Sequence, residues 1–209
     1  MKSCAVPIWK GCFDVVVASS VLLVTSPLLF LIAISVRAVL GRPVLFRQQR
    51  PGLNGRPFII YKFRTMRGSP DSSLESDAQR MSPFGAFLRH TSLDELPELW
   101  NVLRGEMSMV GPRPLLMQYL DRYSPEQRRR HEVLPGLTGW AQINGRNAVT
   151  WADRFALDLW YVDHQSFWLD LRILGLTIVK VLKRENIAYP EHVTMPEFVG
   201  TSRNDQIRR

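Results

Sequence analysis

Residues Phe13 to Leu40 read FDVVVASSVLLVTSPLLFLIAISVRAVL, and how this stretch meets a bilayer decides what the rest of the chain can build. As a helix at 1.5 Å per residue it would reach roughly 40 Å, enough to cross a hydrocarbon core ~30 Å thick. A cleaved signal peptide fits poorly, because the apolar run is too long and no small-x-small site ends it. Ser26-Pro27 stands at its middle. Proline there removes a backbone hydrogen bond and crowds the preceding turn, so a kink is expected. Each half alone would cover only ~20 Å. Both flanks are basic, with Lys2 and Lys10 on one side and Arg37, Arg42, Arg47 and Arg50 on the other. A spanning helix should be lopsided in charge, whereas a segment with both ends on one face should be positive at both. A re-entrant helix turning at Ser26 and Pro27 is the expectation; an ordinary kinked spanning helix stays open on these residues alone.

The 209 residues are 45% hydrophobic and carry a formal net charge of +8. One domain beside a membrane segment is the natural organisation for that length. The positive excess suits nucleic acid, an anionic membrane surface or phosphorylated substrates. No recognition helix, zinc finger or RNA-binding sheet accompanies it, so no nucleic-acid partner is expected. Cys4 and Cys12 lie outside any metal-ligand pattern and build no disulfide framework.

Beyond the apolar run, Val44–Arg50 and Phe58–Arg64 flank a turn-rich segment containing Asn54-Gly55, a hairpin signal. Alternation sets Lys62 and Arg64 on one face of the second strand, opposite Tyr61 and Phe63. Such a cationic face is usually solvated; beside a phosphate site it is a clamp. Gly68 to Ser82 is polar and reads as a loop that could serve as a lid.

Thr91-Ser92-Leu93-Asp94-Glu95-Leu96-Pro97-Glu98-Leu99-Trp100 follows. It sets two adjacent carboxylates at the expected first turn of a helix, with Arg89 before them and Arg104 and Arg113 after. Ser92 to Glu95 also matches a capping box, a purely structural use of the same residues. Leu96, Leu99, Trp100 and Leu103 form roughly one apolar stripe, and Gly105 should end the helix. In Gly111-Pro112-Arg113-Pro114 two prolines fix the backbone on either side of a guanidinium, which suits a positioned anion ligand. Ser124 to His131 starts with an N-cap and ends in a basic run, read as a solvated helix or a contact with anionic lipid. Pro135 to Asn147, punctuated by glycine, reads as a loop near a site. Trp151, Phe155, Trp160, Tyr161, Phe167 and Trp168 crowd a short span, as interfacial belts do. Leu169 to Arg184 fits an amphipathic helix with a basic end. Past Glu185 the tail is polar and carries no signal.

Taken in order, Ser26-Pro27, Arg50-Pro51-Gly52-Leu53, Tyr61-Lys62-Phe63-Arg64-Thr65-Met66, Ser92-Leu93-Asp94-Glu95-Leu96-Pro97, Gly111-Pro112-Arg113-Pro114, Pro135-Gly136-Leu137-Thr138-Gly139 and Asn144-Gly145-Arg146-Asn147 closely resemble the bacterial sugar transferases. Within that family the chain resembles the small monotopic phosphoglycosyl transferases, most of all the member that transfers diacetylbacillosamine phosphate in bacterial N-glycosylation. The resemblance implies an α+β, mainly helical fold. Residues 1–40 would form a re-entrant membrane anchor and residues 41–187 a catalytic domain with a β-hairpin and interfacial amphipathic helices, with 188–209 as a tail. It implies Asp94 as nucleophile, Glu95 as ligand of Mg²⁺, and Arg89 and Arg113 on the phosphates. Lys62, Arg64 and Arg146 are weaker phosphate candidates, from charge and motif position. The reaction implied takes a UDP-sugar and undecaprenyl phosphate to a polyprenyl diphosphate-sugar and UMP through an aspartyl phospho-sugar. It would take place at the cytoplasmic face of the bacterial inner membrane. UDP-glucose or UDP-galactose are alternative donors, and a homodimer stays open. Two rival readings are a non-catalytic membrane-docked scaffold and a UDP-sugar hydrolase using the same metal site.

Overall fold

A computed structural model describes residues 6–67, 80–144, 150–183 and 197–200. Helix α1 (Ile8–Val39) is one uninterrupted helix that continues through Pro27, so the proline does not end it. The carbonyl that Pro27 cannot bond, Leu23 O, accepts a hydrogen bond from the Ser26 hydroxyl at 2.9 Å. The hydroxyl thus replaces part of what the ring removes, a substitution familiar in apolar helices. Lys10, Asp14, Ala18, Ile32 and Val36 are its buried residues, a four-residue spacing that marks one face. Ala18 packs among Leu99, Val102 and Met109; Ile32 and Val36 pack with Phe63 and Leu88. Both ends of α1 therefore rest on the same body. Leu23, Val24, Phe30 and Leu31 between them are well exposed, and the helix is long and apolar enough to cross a membrane.

Strands β1 (Leu45–Pro51) and β2 (Pro57–Phe63) form the expected antiparallel hairpin. Its turn places Asn54 and Gly55 at positive φ, the left-handed conformation for which Asn-Gly is suited. Phe46 pairs with Lys62, Gln48 with Ile60, and Arg50 with Phe58. Phe58 and Ile60 are buried in the core, so Lys62 and Arg50 share the inward face, since side chains alternate with period two.

Helix α2 (Pro83–His90) is capped by Ser82, whose hydroxyl accepts the Gly85 N–H at 2.8 Å. The helix expected to open at Asp94 is instead a 3₁₀ turn, Leu93–Glu95, followed by the short helix α3 (Glu98–Leu103). Ser92 makes no capping bond; it sits at φ 56°, in the left-handed region. The capping box is thus absent, and Glu95 is free to face the site instead of folding back on the backbone. Nor do the apolar residues form one stripe. Leu99 is fully buried and Trp100 is exposed.

Strands β3 (Ser108–Val110) and β4 (Gly136–Thr138) pair in parallel. Between them lies helix α4 (Pro125–Arg128), which opens with a capping box built by Ser124 and Gln127. Parallel strands this short close only because glycine lets two backbones meet. A Cβ on Gly136 would fall 2.0 Å from Gly111 N. Gly136→Ala is therefore expected to cost about 3 kcal/mol or more, seen as a drop in the thermal midpoint of the purified chain.

The stretch expected to be a loop from Pro135 holds β4 and helix α5 (Trp140–Asn144). Helices α6 (Trp151–His164) and α7 (Phe167–Lys183) complete the body. Their aromatics divide: Phe155 and Tyr161 are core, whereas Trp168 is 75% exposed. The basic run before them is partly internal as well, with Arg130 and His131 buried. Phe198 from the polar tail is buried among Tyr119, Tyr123, Trp151 and Phe155. A lone aromatic there gave the sequence no periodicity to read. Residues 68–79, most of the expected lid, lie outside the described residues.

Candidate active site

Asp94 is only 6% exposed and accepts no hydrogen bond among the described residues. Burial and the neighbouring Glu95 carboxylate push its acid up to about 6, against the pull of Lys62, Arg89 and Arg113. It is a desolvated carboxylate still ionised at neutral pH, facing three cations.

Those cations come from three separate elements. Lys62, on the inward face of β2, donates to Glu95 Oε1 at 2.6 Å and lies 3.0 Å from Glu98 Oε1. Arg113, after β3, grips Glu95 with both terminal nitrogens, one reaching Oε2 at 3.2 Å. Burial alone would raise the Glu95 acid, but Arg113 and Lys62 outweigh it and hold it far below the usual carboxylate range. The same pairing holds the Arg113 guanidinium well above its ordinary value. Arg89, in the last turn of α2, donates through Nε to Thr65 Oγ1 at 3.0 Å. The left-handed backbone at Ser92 turns the chain so that α2 and the carboxylates meet, a local strain of the kind found at functional sites.

Asp94, Glu95, Lys62, Arg89 and Arg113 are thus brought together. Arg64 is used differently: its guanidinium donates to Met66 O at 2.9 Å and Arg42 O at 2.7 Å, tying down the strand end. Arg146 lies outside the described residues. Two neighbours escaped the sequence reading. Glu98 is 2% exposed, and burial next to Glu95 pushes its acid up to about 7. Its spacing of three from Glu95 was the available signal, hidden by the expectation of an ordinary helical face. Arg130 donates to Arg113 O at 2.8 Å and pairs with Asp158 at 2.7 Å. That bond and the flanking prolines hold Arg113's backbone while its side chain reaches the carboxylate.

Glu95 sits at the centre of this charge arrangement. Glu95→Gln removes the common partner of Lys62 and Arg113 while keeping the side-chain shape. Leaving Arg113 without its carboxylate and Lys62 with Glu98 alone is expected to lower kcat/KM about 100-fold, a few kcal/mol of lost interaction. Steady-state turnover of the variant checks it; a loss below threefold would contradict the central role.

The site fits Mg²⁺ only as an ion shared with a substrate. No group of three His, Cys, Asp or Glu residues that could hold a metal is found among the described residues. Mg²⁺ commonly takes one or two carboxylates and completes its shell with substrate phosphate and water. Glu95 Oε2 meets Arg113 and retains a lone pair, and Asp94 stands next to it. The chemistry available is nucleophilic attack by a buried carboxylate on an anionic centre neutralised by guanidinium and ammonium groups.

A Bacillus subtilis (strain 168) protein described as "Uncharacterized sugar transferase EpsL" is 53% identical over 196 residues, covering 93% of this chain and 97% of that one. Two larger relatives are UDP-glucose:undecaprenyl-phosphate glucose-1-phosphate transferases. The one from Escherichia coli (strain K12) is 41% identical over 183 residues and the one from Xanthomonas campestris pv. campestris 42% over 186. Those alignments cover 82% and 83% of this chain but 39% and 38% of theirs, so the chain spans about two-fifths of either protein. The model of the family described as bacterial sugar transferase matches residues 6–184, a span that takes in the membrane helix, the hairpin and every residue of the site, and the chain belongs to that family.

Proposed function

We propose that this chain moves a sugar-1-phosphate from a UDP-sugar to undecaprenyl phosphate, releasing UMP, with Asp94 as the covalent nucleophile. The observation that carries the reading is the buried Asp94 carboxylate, without a hydrogen-bond partner among the described residues and faced by Lys62, Arg89 and Arg113. An Asp94 oxygen attacks the phosphorus that bears the sugar. The bond to the uridylyl phosphate breaks, and its electron pair leaves with UMP. A phosphate oxygen of the polyprenol then attacks the same phosphorus, and Asp94 departs as carboxylate. Neither step requires a proton to be removed from the attacking group, which suits a site with no histidine base among its described residues. Arg113, Lys62 and Arg89 neutralise the charge that gathers on the phosphate oxygens. Glu95 is the residue that would hold Mg²⁺, and the bound ion would supply further charge neutralisation and orientation of the diphosphate.

The donor sugar stays open between diacetylbacillosamine, which the motif resemblance suggests, and glucose, which the E. coli and Xanthomonas relatives carry in their names. No described side chain distinguishes them. The long apolar helix α1 supports a membrane placement. A helix whose two ends pack on one body is best accommodated as a re-entrant anchor in one leaflet, with the site on the cytoplasmic face, where UDP-sugars are made.

The test is a panel of UDP-sugars with undecaprenyl phosphate and Mg²⁺, read by UMP release. UMP release at a stoichiometry of one per lipid-linked product, lost on chelation with EDTA, is expected. Sustained UMP formation without the lipid would instead identify a hydrolase.

A further inference from the structure

Among the described residues, four buried or half-buried cations sit on carboxylates, whereas Arg50, like Arg89 on the Thr65 hydroxyl, does not. Lys10 is paired with Asp14 and Asp170, Lys62 with Glu95 and Glu98, Arg113 with Glu95, and Arg130 with Asp158. Arg50 has no carboxylate within 4.0 Å among the described residues. Its contacts are Gln48 Oε1 at 2.6 Å and Pro114 O at 3.5 Å, both neutral, and its buried Nε has no hydrogen-bond partner among the described residues. Burial and the repulsion of Arg113 pull its guanidinium down to about 10. A desolvated cation beside another cation is costly unless an anion completes it.

The contrast with Arg130 sharpens the point. Both arginines hold the bracketed segment by consecutive carbonyls, Arg130 at Arg113 O and Arg50 at Pro114 O. If the only task were to hold backbone, Arg50 would be served by a buried carboxylate such as Asp158. It shares the inward face of the hairpin with Lys62, and its bond to Pro114 O sets it next to Arg113. Two neighbouring guanidiniums, of which only Arg113 is paired with a carboxylate, form a seat for a phosphate oxyanion, which takes bidentate N–H donors well.

We infer that Arg50 is an anion ligand of this site, seating a phosphate group alongside Arg113. The chemistry is a phosphate ester, whether that of the nucleotide or that of the polyprenol. The inference relies on the phosphoryl-transfer reading only for which phosphates are present. It is therefore tested by binding and not by turnover.

The experiment titrates the detergent-solubilised full chain and its Arg50→Gln variant by calorimetry with UMP, uridine and a short-chain prenyl phosphate. A loss of about tenfold or more in UMP affinity with uridine unchanged supports the inference with the nucleotide as source. The same loss confined to the prenyl phosphate supports it with the acceptor as source. UMP and uridine weakened by the same factor, or neither phosphate affected, overturns it and leaves Arg50 as a backbone tie. The thermal midpoint gives an independent reading. An uncompensated cation predicts that the ligand-free variant is as stable as the parent or more so, and a large fall would count against the proposal. Failure of the phosphoryl-transfer reading would show in the UMP-release panel and leave these affinities standing.

Discussion

Asp94→Asn should abolish UMP release, by about 1,000-fold or more, while the chain keeps its fold. The amide matches the carboxylate in shape but cannot form the phospho-enzyme bond, and loss of a covalent nucleophile removes the step itself. Incubating the parent with UDP-sugar alone should give one equivalent of UMP and a phospho-sugar adduct that mass spectrometry maps to Asp94. An adduct on any other residue would overturn the assignment. Unchanged glycan assembly by the variant would favour the scaffold reading.

The same substitution has a stability consequence with a definite sign. In the fold the Asp94 acid is raised to about 6 from an ordinary 3.8. The folded state therefore binds more protons than the unfolded state across that window, and stability falls as pH rises through it. A shift of that size is worth up to about 3 kcal/mol once the group is ionised. Asp94→Asn should be more stable than the parent at pH 7 to 8, and the gap should close below pH 4. The first half-reaction of the parent should gain rate as pH rises through about 6, as ionised Asp94 accumulates.

Asp170→Ala is expected to give the largest loss of stability, about 3–5 kcal/mol. The Lys10 and Asp170 side chains are 1% and 0% exposed and pair directly across α1 and α7. The Tyr161 hydroxyl donates to Asp170 Oδ1 at 2.7 Å, and Asp14 Oδ1 accepts the Met109 N–H at 3.0 Å. This network fastens the start of the membrane helix to β3, the strand that leads into Arg113. Removing one carboxylate leaves Lys10 mainly to the more distant Asp14, at 3.4 Å. A drop in thermal midpoint of roughly 10 °C follows for a chain of this size. The double variant Lys10→Met with Asp170→Asn should recover much of it, since removing both charges removes the cost of burying them, and the amide can still accept the Tyr161 hydroxyl. A midpoint within about 2 °C of the parent for Asp170→Ala would show that the pair is dispensable.

How much of this was legible beforehand depends on the range of the forces involved. The hairpin was readable because Asn54-Gly55 and alternating strands act over a few residues. The capping box at Ser92 was misread because a helix start, judged locally, looks the same whether Glu95 returns to the backbone or faces Arg113. Only Arg113, 18 residues on, settles it. The carboxylate pair and Arg113 were found through motif and charge. Glu98 and Arg130 were missed because their meaning lies in burial and in partners far along the chain, Lys62 for one and Asp158 for the other.

By itself, then, the sequence determined the elements and the chemical inventory: an apolar helix with both flanks basic, a hairpin, two adjacent carboxylates and a proline-bracketed arginine. Hydrophobicity, backbone preference and charge are properties of residues and their near neighbours, so they survive without a fold. Only the tertiary structure decided which charges meet, that Lys10 is buried on Asp170 and Arg130 on Asp158, and that Asp94 is desolvated. Coulombic pairing and desolvation depend on distance and on water exclusion, and both arise only when α1, the hairpin and the segment after β3 close on one another.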